Sequence, residues 1–481
     1  MHSVPEAWAL DREPLGKSCE GKGLCLCEAS RTSNICALVL TNGRMLTLGV
    51  TMTTWSASSQ SMPARTKSLA RSIDTAKSAS ATVPKQRIMP LSYRMTGGSA
   101  WDESRFSELI AERLGSQTTM FPVGRARAGI HLLVKFAVRD GRRKVLMSPF
   151  TVPDVVTMVT LAGAEPCFYD FRPNSTACDV DGLMAQIDDK TACVLITHYH
   201  VNEPRLTEVA ELCHARGALL FDDCAISFGG SMDGKPIGTL TDASVFSFSF
   251  FKLLNYFWGG LVTTRNAQIA KHLRQQIASF PRLGLRHYIN PARACLKYDV
   301  ASRPALFGSL VFPLAQRRLR RQDCASSLEH NRVESTHIDL TLTSRPSFAA
   351  FAEWWPKLAK VDEALAYRRR VAMIYRKFLS PRMVSPDTTT CQLEEACFVN
   401  FPVLVPQERC NEIVRRMMLS GYDIGRSLYP NVHRHPWFTG VEGRSSNVDR
   451  LVAGSIYLPT HFGVSEAYAE EIAERLLAEF E

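Results

Sequence analysis

No stretch of the 481-residue chain is apolar for long enough to cross a bilayer, so no spanning helix is expected. Its 14 cysteines lack the paired C-x-x-C knuckles of a structural zinc site. The N-terminal group Cys19, Cys25, Cys27 and Cys36 offers only a C-x-C step, and no metal is expected. No secretory leader is recognisable, so the thiols are read as reduced and the setting as cytoplasmic. No zinc-finger spacing or RNA-binding aromatic signature accompanies the net charge of +10, which argues against nucleic acid as a partner. Acidic residues are scarce in one basic stretch: residues 51–90 hold six Lys/Arg against Asp74 alone. Sustained apolar periodicity is missing there too. Residues 1–95 are therefore expected to be a disordered leader, in which the stretch 51–90 resembles a transit peptide but starts too far from Met1.

What is present is ample apolar content, 45% of residues, enough for more than one lobe. Phe106, Leu109, Ile110 and Leu114 recur at helical spacing and stop at Gly115, a helix C-cap signal. The chain then alternates. Strand-like runs fall at Lys144–Met147, Pro166–Asp170, Ala192–Thr197, Ala218–Asp223, Ser244–Phe248 and Gly260–Thr264. Helical patterns separate the earlier ones, at Arg127–Val138, Pro153–Leu161, Asp181–Ile187 and Leu206–Arg216. Near-continuous apolar strands alternating with helices predict a mostly parallel α/β sheet covered by helices on both faces. The last two strands are too closely connected for a crossover, so one of them is expected to be antiparallel. Helical patterns over Phe348–Leu379, Gln407–Ser420 and Ser465–Phe480, with strands at Ala396–Val405 and Ser455–Leu458, predict a smaller C-terminal α+β lobe. The boundaries that follow are 96–270 for the large domain, 271–340 for an inserted basic and apolar segment, and 341–481 for the small domain.

Lys252 closes the run Phe246-Ser247-Phe248-Ser249-Phe250-Phe251, and Asp222-Asp223 end the apolar run Ala218–Phe221. A lysine after one strand and a carboxylate at the tip of another suit pyridoxal phosphate chemistry: an amine to bond the aldehyde, and an anion to pair with the pyridinium nitrogen. The wider pattern resembles the DegT/DnrJ/StrS family of sugar aminotransferases over roughly residues 100–480. Asp222-Asp223-Cys224-Ala225 with Ser227-Phe228-Gly229 is similar to its EDAAQSHG stretch. Phe246–Lys252 is similar to FSFxxxK, and Gly259-Gly260 fall at its Gly pair. Tyr429-Pro430 and Leu458-Pro459-Thr460-His461 resemble its YP and LPLH signatures.

The resemblance implies a fold-type-I pyridoxal phosphate transferase, acting as a homodimer. It implies transfer of an amino group, from glutamate or glutamine, to a keto-sugar nucleotide in polysaccharide or secondary-metabolite biosynthesis. It implies Lys252 as the catalytic, cofactor-bonding residue, Asp223 as the partner of the ring nitrogen and Ser247 as a phosphate-binding hydroxyl. Gly124, Arg125, Ala126 and Arg127 fall at the phosphate loop, Val152 at the residue that stacks on the ring, and Ile226 at the Gln beside the phenolic oxygen. His198, His461 and Tyr429 are the substrate-side candidates.

Several positions depart from the family pattern. The loop reads Gly-Arg-Ala-Arg rather than GSGT, and Val152 and Ile226 replace an aromatic and a Gln. Thr343, ahead of Ser344-Arg345, stands where the NYRM motif has the Asn that reaches across the dimer. A catalytically degenerate relative that binds a sugar nucleotide or scaffolds a pathway is the alternative. A dehydratase is disfavoured, because its lysine is replaced by histidine. The insertion holds Leu306, Phe307, Leu310, Val311, Phe312 and Leu314, then Arg317, Arg318, Arg320 and Arg321. Residues 305–321 are accordingly expected to cover a subunit or the site mouth, or to contact a membrane peripherally.

Overall fold

The structure is a computed structural model. It describes residues 103–139, 141–200, 205–249, 252–254, 259–284, 342–346, 357–422, 424–426 and 429–480, separate stretches within 287–320 and 337–338, and two strands of the leader. Those two strands, β1 (Ser33–Thr41) and β2 (Arg44–Met52), pair antiparallel with Thr41 opposite Arg44. The leader was expected to carry no regular elements, and here it departs from that. Asn-Gly at 42–43, between two strands with β-branched residues, is the strongest short-range hairpin signal in a sequence. The rest of the leader, including Cys19, Cys25 and Cys27, lies outside the described residues. The hairpin belongs to a compact unit, Met1–Ser58, separate from Ser59–Glu481.

In the larger unit, α1 (Glu103–Leu114) ends at Gly115, whose φ of +89° only glycine adopts cheaply. There follow β3 (Thr119–Val123), α2 (Ala126–Ala137), β4 (Lys144–Met147), α3 (Pro153–Leu161), β5 (Glu165–Phe168), α4 (Val180–Met184), β6 (Thr191–Thr197), α5 (Leu206–Ala215) and β7 (Leu219–Asp223). A two-stranded turn, β8 (Ser231–Met232) with β9 (Lys235–Pro236), leads to β10 (Ala243–Ser247), β11 (Gly260–Thr264) and α6 (Ala267–Ala278). Pro304–Leu306 and a π-helical turn, Phe307–Val311, run into α7 (Phe312–Leu319). The small lobe comprises α8 (Val361–Phe378), β12 (Asn400–Leu404), α9 (Gln407–Leu419), β13 (Gly425–Arg426), β14 (Glu442–Gly443), α10 (Ser446–Gly454), β15 (Ser455–Pro459) and α11 (Glu466–Ala478).

The main sheet has eight strands in the order β14-β5-β4-β6-β7-β10-β11-β3. It is parallel from β14 to β10; β11 runs antiparallel to β10 and β3 antiparallel to β11. Successive residues of each strand serve opposite faces. Leu146, Val194, Leu220 and Phe246 join one apolar cluster, while Val145, Leu195, Phe221 and Val245 join the other. Both faces are therefore buried, which is why these strands read as continuous apolar runs. The small lobe's sheet, β12-β15-β13, packs with α8, α9 and α11 around a third cluster that includes Phe398, Phe401, Ile413 and Ile472.

Candidate active site

Every strand bearing a predicted site residue delivers it to the same end of the sheet. Asp222 and Asp223 close β7, Ser247 closes β10, and His198 follows β6, its backbone N–H donating to Asp223 O at 3.1 Å. The neighbouring carboxylates have different surroundings. Asp222, fully buried, accepts from His198 Nε2 at 3.1 Å and from Thr241 Oγ1 at 2.9 Å, with Ser244 Oγ at 3.4 Å. Asp223 is 4% exposed, and among the described residues its side chain accepts one hydrogen bond, from the Ala225 N–H, 3.0 Å from Oδ1. Burial pushes the Asp223 carboxyl above the usual range. The Ala225 N–H and the nearby charges of Lys252 and His198 oppose that, while Asp222 reinforces it. Among the described residues Asp223 thus keeps acceptor capacity beyond that one hydrogen bond.

Lys252 is half-buried, and its Nζ donates to Tyr429 Oη at 3.2 Å. Tyr429 lies 177 residues further on and rests on an aromatic wall. Its ring meets Phe150 edge-on at 5.5 Å and Tyr199 at 6.2 Å. Tyr199 is fully buried, bonded to Ser148 Oγ at 2.8 Å and to the Phe150 carbonyl. Apart from Tyr429, this wall is absent from the sequence-based site; it has no local signal because its members follow β4 and β6 and come from the small lobe.

At the start of α2 the geometry is tight. Ser247 pairs with Gly260 across β10 and β11, and a Cβ on Gly260 would stand 2.5 Å from the Ala126 amide nitrogen. Only glycine lets that helix start approach the strand, and the helix N-terminus favours an anion there. Two of the predicted loop groups are already engaged. The Gly124 N–H donates to Ser344 O at 2.9 Å, and the Arg127 guanidinium pairs with buried Asp154 in the first turn of α3. Arg125 forms an isolated parallel bridge with Gly259. Val152 is the N-cap of α3 and half-buried, and Ile226 is buried in the first apolar cluster.

Among the substrate-side candidates only Tyr429 is brought onto Lys252. His198 lies behind, on Asp222. His461 accepts from the Gly463 N–H at 3.1 Å through Nδ1, and burial together with nearby Arg368 lowers its pKa to about 3. His198, Asp222 and Cys224 present donor atoms within 4.8 Å of one another, but the Asp222 oxygens are already hydrogen-bonded within the protein. Asp170, beyond β5, accepts from the N–H groups of Asn447 (3.1 Å) and Val448 (3.2 Å) and from Ser446 Oγ (3.1 Å). It holds the N-terminus of α10, and with it the small lobe, against the sheet.

The profile of the DegT/DnrJ/EryC1/StrS aminotransferase family matches residues 95–288 and 350–477. The dTDP-3-amino-3,4,6-trideoxy-alpha-D-glucose transaminase of Micromonospora megalomicea subsp. nigra is 33% identical over 331 residues, 67% of this chain and 75% of that protein. GDP-perosamine synthase of Vibrio cholerae is 27% identical over 164 residues, 34% of this chain and 43% of that protein. The chain thus spans under half the length of some curated relatives it matches. A solved Helicobacter pylori aminotransferase of pseudoaminic acid biosynthesis superposes with a TM-score of 0.63 at 16% identity, over 83% of this chain and 99% of that one. This likeness shows a fold-type-I aminotransferase architecture.

Proposed function

The chain belongs to the DegT/DnrJ/EryC1/StrS aminotransferase family, and on that premise we propose that it transfers an amino group from an amino acid to a keto-sugar nucleotide, using pyridoxal phosphate. Glutamate or glutamine is the donor in this reading, and a homodimer the working form. The observation that carries it is the pairing of a buried carboxylate with spare acceptor capacity, Asp223, and a lysine at the next strand end, Lys252.

The residues fit the cofactor. Ser247 and the Ala126 amide, kept accessible by Gly260, suit its phosphate; Asp223 suits its ring nitrogen; Lys252 suits its aldehyde. Bound there, pyridoxal phosphate supplies the carbonyl that carries the amino group and the ring that takes up the electron pair of the broken C–H bond. Lys252 Nζ would be the amine that holds that carbonyl, and when free of it would be the base placed to take and return the proton. Tyr429 Oη holds the lysine nitrogen in place. The Asp223 carboxylate keeps the ring nitrogen protonated. The aromatic wall of Phe150, Tyr199 and Tyr429 keeps water from the lysine side of the site.

The engaged Gly124 amide and Arg127 side chain favour a second reading, a binding protein without turnover. One experiment separates the two. Purified protein is titrated with pyridoxal phosphate and its visible absorbance followed, then glutamate is added. A visible band that glutamate bleaches, followed by amination of a nucleotide-linked keto-sugar seen by mass spectrometry, is the expected result. A band that glutamate and glutamine both leave unchanged would favour the binding protein.

A further inference from the structure

The family profile skips residues 289–349, the part of the chain that its relatives' pattern does not explain. Its surface is unlike the rest. Of the ten exposed large hydrophobic residues among those described, six lie in this stretch: Ile289, Leu296, Val300, Leu310, Leu314 and Ile338. Residues 289–321 also hold seven Lys/Arg against Asp299 alone. Arg293, Lys297, Arg303, Arg317 and Arg320 are exposed and form no ion pair among the described residues.

Both kinds of residue occupy one helix in a way that separates them from the protein. Phe312, 5% exposed, and Gln316, whose Nε2 donates to the carbonyls of Met418 (2.9 Å) and Leu419 (3.1 Å), fasten α7 to the C-terminal end of α9. Leu310 and Leu314 are one helical turn apart, 48% and 38% exposed, and Arg317 follows three residues on. Apolar residues facing outward with arginines close behind them are poorly placed for water. They are well placed for a surface whose edge is anionic and whose interior is hydrocarbon, because arginine stems reach past buried leucines to the headgroups. An uncharged protein surface would satisfy the leucines and strand the arginines. No described helix is long and apolar enough to cross a membrane, so the contact is one that lies on the surface.

We propose that the 289–321 insertion docks the protein on anionic phospholipid, with Leu310 and Leu314 entering the headgroup boundary and Arg317 and Arg320 pairing with phosphates. This is independent of the reaction catalysed. The test is co-sedimentation of the full-length protein with phosphatidylcholine vesicles and with phosphatidylcholine–phosphatidylglycerol vesicles. The expected result is binding to the anionic vesicles only, weakened by salt. Since each basic residue near such a surface contributes roughly fivefold, Arg317→Glu with Arg320→Glu should weaken binding at least about tenfold. Leu310→Gln with Leu314→Gln should weaken it as well, with the melting temperature unchanged in both. Absence of wild-type binding, or equal binding to both vesicle types, would overturn the proposal. So would a fall in solution mass on Leu310→Gln with Leu314→Gln while vesicle binding persists, which would assign the leucines to a contact between copies. Comparison of the two vesicle types with wild-type protein decides the matter even if a variant fails to fold.

Discussion

Beneath the strand ends the carboxylates of this protein are matched by several hydrogen bonds or a guanidinium, whereas at the rim Asp223 accepts a single hydrogen bond from the described residues. Asp222 is held by His198 and Thr241, and Arg127 by Asp154. One residue further along the same strand, Asp223 accepts one hydrogen bond, from the Ala225 N–H, in a buried setting, and Lys252 donates to the Tyr429 phenol. The lower layer is built to be stable alone. The upper layer carries a cost that a bound ligand would offset, a common division where stability and activity compete.

Removing Lys252 tests the rim most severely. Lys252→Ala should lower turnover by roughly 10²–10⁴-fold from lost proton transfer alone and abolish borohydride trapping of pyridoxal phosphate. A trapped adduct on another lysine would move the site. Asp223→Asn comes next. Turnover should collapse while the cofactor-free protein melts no lower than wild type. The sign follows from burial: a carboxyl whose folded pKa is raised binds its proton more tightly folded than unfolded, so it costs stability as pH rises above the ordinary carboxylate range. The stability gap between Asp223→Asn and wild type should therefore open on going from acid to neutral pH. An apo variant markedly less stable than wild type at neutral pH would contradict this.

The lower layer should respond in the opposite sense. Asp154→Ala leaves the largely buried Arg127 without its anion, and chemical denaturation should show a loss of about 3–5 kcal/mol. Asp222→Asn leaves part of the His198 and Thr241 network unmatched, a loss of about 1–3 kcal/mol, with turnover reduced far less than in Asp223→Asn. If Asp222→Asn instead abolishes turnover while Asp223→Asn spares it, the roles of the pair are reversed. The smallest effect is expected from deleting residues 1–95. The hairpin β1–β2 belongs to a contact unit of its own, so melting temperature and cofactor binding of the remainder should not move. A clear drop in melting temperature would show that the leader supports the catalytic lobe.

Much of the sheet was legible because its strands are buried on both faces: an apolar run bounded by turns leaves few other readings. The runs at 144–147 and 260–264 match the observed strands residue for residue. Edge elements were not legible. β3 carries Pro122, and β14 is two residues, Glu442–Gly443, from the small lobe added to the far edge beside β5. Nothing in so short and polar a segment signals a strand. The leader hairpin was legible in principle, through Asn-Gly at 42–43, and was passed over amid the polar composition around it.

The sequence by itself determined the layering and the order of the residues that close or follow the strands, Lys252 and Asp223 among them, because spacing along strands and the chemistry of side-chain types are local properties. Tertiary structure alone decided which neighbouring groups were left open. Whether Asp222 or Asp223 is satisfied depends on Thr241 and His198 arriving from other segments. Whether Gly124 can offer its amide depends on Ser344, 220 residues away. That Lys252 meets Tyr429, and that α10 is anchored by Asp170, are long-range pairings of the same kind. A hydrogen-bonding group is either used or free according to what packs against it, and packing is settled only when distant parts of the chain meet.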